Sequence, residues 1–77
     1  MSRLLDKMNE YVTVNGMAGR ADLCKAANRG MRSVERYLTG ETIPSTQIRF
    51  QLALACGCTK AEAIELANEP PEARETA

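Results

Sequence analysis

The chain predicts an all-helical fold, and three features of its sequence say so. Apolar residues recur three and four positions apart, the spacing of one helix face. Residues that cap or stop helices (Ser, Thr, Asn, Gly, Pro) fall at intervals of about a helix length. No segment reads as a strand. With 77 residues the chain holds one domain and one modest core. Hydrophobic residues make up 44% and charged residues 26%, which excludes a disordered or fibrous chain.

Five helices are expected in order. The first runs from about Arg3 to Val14, capped by Ser2, with Leu4, Leu5, Met8, Tyr11 and Val12 as its apolar stripe. Asn15-Gly16 ends it, and Gly16 to Gly19 read as a short loop. The second runs from about Arg20 to Ala27 with Leu23, Cys24 and Ala27 inward. Asn28-Arg29-Gly30 breaks the pattern. The third covers about Met31 to Leu38, burying Val34, Tyr37 and Leu38, and ends at Thr39-Gly40. Ile43 precedes Pro44 and is therefore biased to extended backbone. Ser45 caps a fourth helix, about Thr46 to Cys56, closed by Gly57. It is apolar on most faces and belongs at the centre. Thr59-Lys60-Ala61-Glu62 matches a capping box. It opens a fifth helix to about Asn68, expected to bury Ala61 and Ile64, with Leu66 or Ala67 beside them. Pro70-Pro71 stops it, leaving residues 70–77 as a flexible charged tail behind a 1–69 domain.

Charge narrows the function classes. The formal net charge is zero, yet residues 1–49 carry net +3 and residues 50–77 carry net −3. Such polarity can orient a basic face toward phosphate. No apolar run is long enough for a membrane span, and the N-terminus does not read as a signal peptide, so a cytoplasmic protein of a bacterial or phage-infected cell is expected. Cys24, Cys56 and Cys58 are an odd set with no histidine in the chain, which argues against a disulfide framework and against zinc. They read as small, largely buried apolar side chains. Nothing resembles a nucleotide loop or a nucleophile motif, so no enzyme, cofactor or small-molecule ligand is expected.

The segment from Arg20 to Ser45 carries the functional signal. Two short helices are joined by a tight turn that requires a left-handed residue, and Asn28 stands there. A close approach needs a small side chain in the preceding helix, which Cys24 supplies, and Val34 and Tyr37 pin the following helix. This order resembles the lambda-repressor-like helix-turn-helix family, which includes phage repressors and Cro proteins. That family shows a small residue, a turn glycine, then Ile or Val and a further apolar residue. This chain reads Cys24, Asn28, Val34 and Tyr37, with Cys and Asn where Ala and Gly are usual. Gly40 and Pro44-Ser45 also match, and the likeness covers about residues 2–69.

The resemblance implies a sequence-specific regulator of duplex DNA that lays its third helix in the major groove. Carried onto this chain, the DNA-facing positions are Gly30, Met31, Arg32, Ser33, Glu35 and Arg36. Arg32 and Arg36 would read guanine, Glu35 would accept from cytosine or orient an arginine, and Met31 would touch a thymine methyl. Backbone amides near Arg20 and Ala21 would meet a phosphate. Thr39 would contact the DNA backbone, and Arg29 and Lys25 would neutralise phosphates. A homodimer on a partly palindromic operator is expected, formed on DNA, with Leu66 of the fifth helix as a candidate contact. Two other readings stand beside this one. One is a helical protein-interaction module that does not bind DNA, such as an anti-repressor or adaptor. The other is the DNA-binding part of a longer repressor cut at the proline-rich tail.

Overall fold

Four helices make up residues 3–69, the part that the structure, a computed structural model, describes. They are α1 (Arg3–Ala27), α2 (Met31–Thr39), α3 (Thr46–Ala55) and α4 (Lys60–Asn68), and no strand occurs among the described residues. The expected Ser2 cap and the 70–77 tail lie outside them.

The loop expected at residues 16–19 is reduced to a break at Gly16, which parts two helical segments that together make up α1. Residues 16–19 do not form a separate connection. The chain runs on as α1 with one non-helical residue, Gly16, at φ 62° and ψ −139°. The direction changes sharply there. The Tyr11 hydroxyl donates to the Asp22 carboxylate at 2.8 Å, although a straight helix would set these two residues about 16 Å apart along its axis. Gly19 permits so tight a turn. A Cβ at that position would stand 2.9 Å from the Asn15 Cβ and 3.2 Å from the Tyr11 carbonyl oxygen. With no side chain to place, the helix resumes at once and no loop is needed.

Leu4, Met8 and Val12 from before the break meet Leu23 and Ala27 from after it, together with Val34, Tyr37, Leu38, Leu52, Ala53, Ala63, Leu66 and Ala67. Cys24, expected inward, is only half-buried. As its sequence suggests, α3 sits centrally and packs on both α1 and α4. Leu52 and Ala53 are fully buried, with Ile48, Phe50, Leu54 and Ala55 half-buried around them. By contrast, α2 packs on α1 alone.

The face of α4 is corrected too. Ala63, Leu66 and Ala67 are buried, whereas Ala61 is exposed and Ile64 is 49% exposed. Both sets share helical spacing, so a helix of 9 residues offers two apolar faces. Packing against α3 selects the one that carries Leu66. Leu66 is 1% exposed and is a core residue, not a dimer contact.

Three helix ends close in the same way. After α1 the Asn28 amide donates to the Lys25 carbonyl and the Arg29 amide to the Cys24 carbonyl. After α2 the pairs are Gly40 to Tyr37 and Glu41 to Arg36, and after α3 they are Gly57 to Leu54 and Cys58 to Ala53. This is the Schellman closure, which needs a left-handed residue just past the helix. Asn28 (φ 56°), Gly40 (φ 82°) and Gly57 (φ 94°) supply it. The opposite ends are capped by side chains. Ser45 accepts from the Ile48 amide at 3.3 Å and Thr59 from the Glu62 amide at 3.2 Å. Arg49 ties the C-terminal part together. Its guanidinium donates to the Ala67 carbonyl at 2.7 Å and to the Pro44 carbonyl at 3.0 Å. No helix among the described residues is long and apolar enough to cross a membrane.

Candidate nucleic-acid interface

Pairing redistributes the basic charge. Arg3 bonds Glu69 at 2.6 Å and lies 3.7 Å from Glu65, while Lys7 lies 3.5 Å from Glu62. The first two turns of α1 therefore face the acidic side of α4. Exposed pairs of this kind add little stability. Their consequence is that Arg3 and Lys7 are matched by local carboxylates, and Arg49 is spent on backbone carbonyls. Among the described residues Lys25, Arg29, Arg32 and Arg36 form no ion pair, and neither do Lys60 on α4 and the carbonyl-bound Arg49. Arg29 donates only to the Asn28 carbonyl, at 3.3 Å. Four cations thus remain on the end of α1, the turn and α2.

The geometry of α2 follows from its sequence. Val34, Tyr37 and Leu38 occupy spacings of three and four and are all buried. Arg32 and Arg36, four apart, share a different face and are exposed. Met31 is 37% exposed, Ser33 and Glu35 are partly exposed, and Arg29, Gly30 and Thr39 are exposed. Apart from Arg20, which lies on α1, the sequence-derived set thus falls on and just before one helix.

Three anchors hold that helix. The left-handed Asn28 turn sets its start. Gly40 closes its end. Asn9, on α1, donates from its side-chain amide to the Leu38 carbonyl at 3.0 Å, and also to the Leu5 carbonyl at 3.0 Å. Asn9 was not foreseen, although an asparagine in mid-helix is a signal in itself, because it favours local backbone bonding over helix.

Some expected roles are met by a different geometry. Arg20 Nη1 donates to Glu35 Oε2 at 2.9 Å, joining α1 to α2. Both groups are therefore engaged within the protein, and Glu35 does not stand free. The phosphate-binding amides expected near Arg20 and Ala21 lie inside α1, and the departure from helical geometry comes four residues earlier, at Gly16. The Thr39 hydroxyl donates to the Arg36 carbonyl at 3.0 Å. Gly30, the N-cap of α2, offers no side chain to its amides, and a Cβ there would meet nothing within 4 Å. No family model, curated protein or solved structure matches this chain.

Proposed function

We propose that this chain binds duplex DNA sequence-specifically as a transcriptional regulator of the repressor or Cro-like kind. Residues 20–27 and α2 would form its helix-turn-helix, with α2 in the major groove. One observation carries the reading. The cations of the N-terminal half left without partners in the fold cluster on the end of α1, the turn and the outer face of α2, while the other basic side chains of that half are engaged within the fold. In this reading Arg32 and Arg36 face base edges, and Lys25 and Arg29 face phosphates. Arg20 holds Glu35 in place and does not itself reach DNA. Met31 presents an apolar tip beside the arginines.

Two copies would bind successive half-sites. The molecule measures 34 × 27 × 21 Å, which lets neighbours sit side by side at the spacing of one DNA turn, about 34 Å. Selection of bound sequences from a random duplex pool, followed by gel shift across a salt series, tests the reading. The expected outcome is an enriched, partly palindromic site whose binding weakens steeply with salt. Arg32→Ala or Arg36→Ala should cost about 1–3 kcal/mol on that site. If no duplex is enriched and nothing shifts at low salt, the DNA reading fails and the interaction-module reading takes its place.

A further inference from the structure

We propose that Gly16 is a hinge through which two copies of this chain exchange residues 3–15, forming a domain-swapped dimer. Helical backbone runs through α1 except at Gly16, where φ 62° and ψ −139° turn the chain back. One pair of dihedrals therefore separates the bent form from a straight helix of 25 residues, about 37 Å long. Glycine balances the two forms. Positive φ is open chiefly to glycine, which favours the bend, while glycine weakens a continuous helix relative to alanine. Nothing nearby clamps the hinge. A Cβ at Gly16 would meet no atom within 4 Å, and every residue from Thr13 to Ala18 is exposed.

A second copy restores what straightening removes. Leu4, Met8 and Val12 leave their own core and enter the equivalent place in the partner's. The contacts that hold the segment re-form between chains: Arg3 with Glu69, Lys7 with Glu62, Asn9 with the Leu38 carbonyl and Tyr11 with Asp22. No new complementary surface is needed, which is why exchange of an identical element is a low-cost route to a dimer. What the exchange adds is contact at the hinge. Val14 is 77% exposed and Met17 68%. They flank Gly16 and are the most exposed large apolar side chains among the described residues. Where two straightened helices cross, these side chains meet their counterparts, and Gly16 lets the backbones approach. Association costs translational and rotational freedom, so the bent monomer prevails in dilute solution.

The exchange stands without the DNA reading, because no cation of the Lys25 to Arg36 patch takes part in it.

The test compares the full chain with Gly16→Ala by sedimentation across a protein concentration series. Alanine there clashes with nothing and acts on the hinge dihedrals alone. It opposes the bend and favours the straight helix at two hinges in each dimer, so dimer affinity should rise at least about a hundredfold. Exchange is told from surface pairing by isotope-filtered NOEs in a mixture of ¹³C-labelled and unlabelled chains, unfolded and refolded together. Met8 is a core residue, 2% exposed. Its methyl in a labelled chain should therefore contact protons of the unlabelled chain. Should Gly16→Ala not fold by circular dichroism, the same NOE is sought in the unmodified chain refolded at its highest soluble concentration. A chain that stays monomeric in the experiment read, or a dimer in which the Met8 methyl contacts only its own chain, would overturn the proposal.

Discussion

Asn28 shows how one residue sets the geometry of this protein. It is the only non-glycine with positive φ among the described residues, at 56°. Asparagine tolerates that conformation better than most residues, for which it costs about 1–2 kcal/mol. Asn28→Gly should therefore leave the melting temperature equal or raised, and Asn28→Val should lower stability by about that cost in urea unfolding. Similar losses in both variants would mean that the Asn28 side chain, and not its backbone, matters. Cys56 makes a second prediction at this scale. Burial, aided by the nearby Cys58, pushes its thiol up to about 11. In the unfolded chain the thiol ionises from about pH 8.5, so above that pH the unfolded state binds fewer protons than the native state. This contribution to stability is complete below the unfolded value and is lost as pH rises toward 11. Cys56→Ala should flatten the fall in stability between about pH 8.5 and 11, read by denaturant titration at each pH.

Helix α2 carries a compromise between stability and access. Its N-cap, Gly30, makes no side-chain bond and has open space where a Cβ would go. Gly30→Ser supplies the missing acceptor and should stabilise the fold by a few tenths of a kcal/mol, seen as a small rise in melting temperature. No change at all would mean that the first amides of α2 already have partners. Helix α4 is the complementary case, because its two apolar faces have opposite fates. Leu66→Asp buries a carboxylate in the core and should unfold the chain by circular dichroism. Ile64→Asp should leave the helical signal intact. If the two-copy arrangement uses the outer face of α4, Ile64→Asp should also weaken operator binding and its cooperativity. A folded Leu66→Asp variant would contradict the packing described here.

At the scale of the whole molecule the fold sorts charges that the sequence only sums. Arg3 and Lys7 meet Glu62, Glu65 and Glu69 across the α1–α4 contact. What remains for an outside partner, apart from the single Lys60 on α4, is the patch from Lys25 to Arg36. If this patch meets phosphate, the logarithm of affinity should fall with the logarithm of salt by about 0.9 per neutralised phosphate. Lys25→Ala should shallow that slope by about one. Arg3→Ala should leave it unchanged, since Arg3 is paired within the fold. Equal slopes for both variants would place the phosphates elsewhere.

The sequence by itself determined the elements whose signals are local. The caps at Ser45 and Thr59, the left-handed Asn28, the end at Gly40 and the inward Val34, Tyr37 and Leu38 all depend on a few adjacent residues, and each stands where its chemistry requires. The exposed row of Arg32 and Arg36 was legible for the same reason, since their spacing opposes the apolar one. Other features were decided by contacts between residues distant in sequence. The loop after Asn15 shrank to Gly16 because Gly19 packs against Tyr11 and Asn15 once the chain has turned back. Leu66 turned inward and Ile64 outward because α3 covers only one of two equivalent apolar faces. Arg20 met Glu35, and Arg49 met the end of α4, only when tertiary packing brought them within hydrogen-bond reach. Periodicity states that a face is apolar or charged, and only the neighbour that arrives there settles which face is covered and which charge is left for a partner.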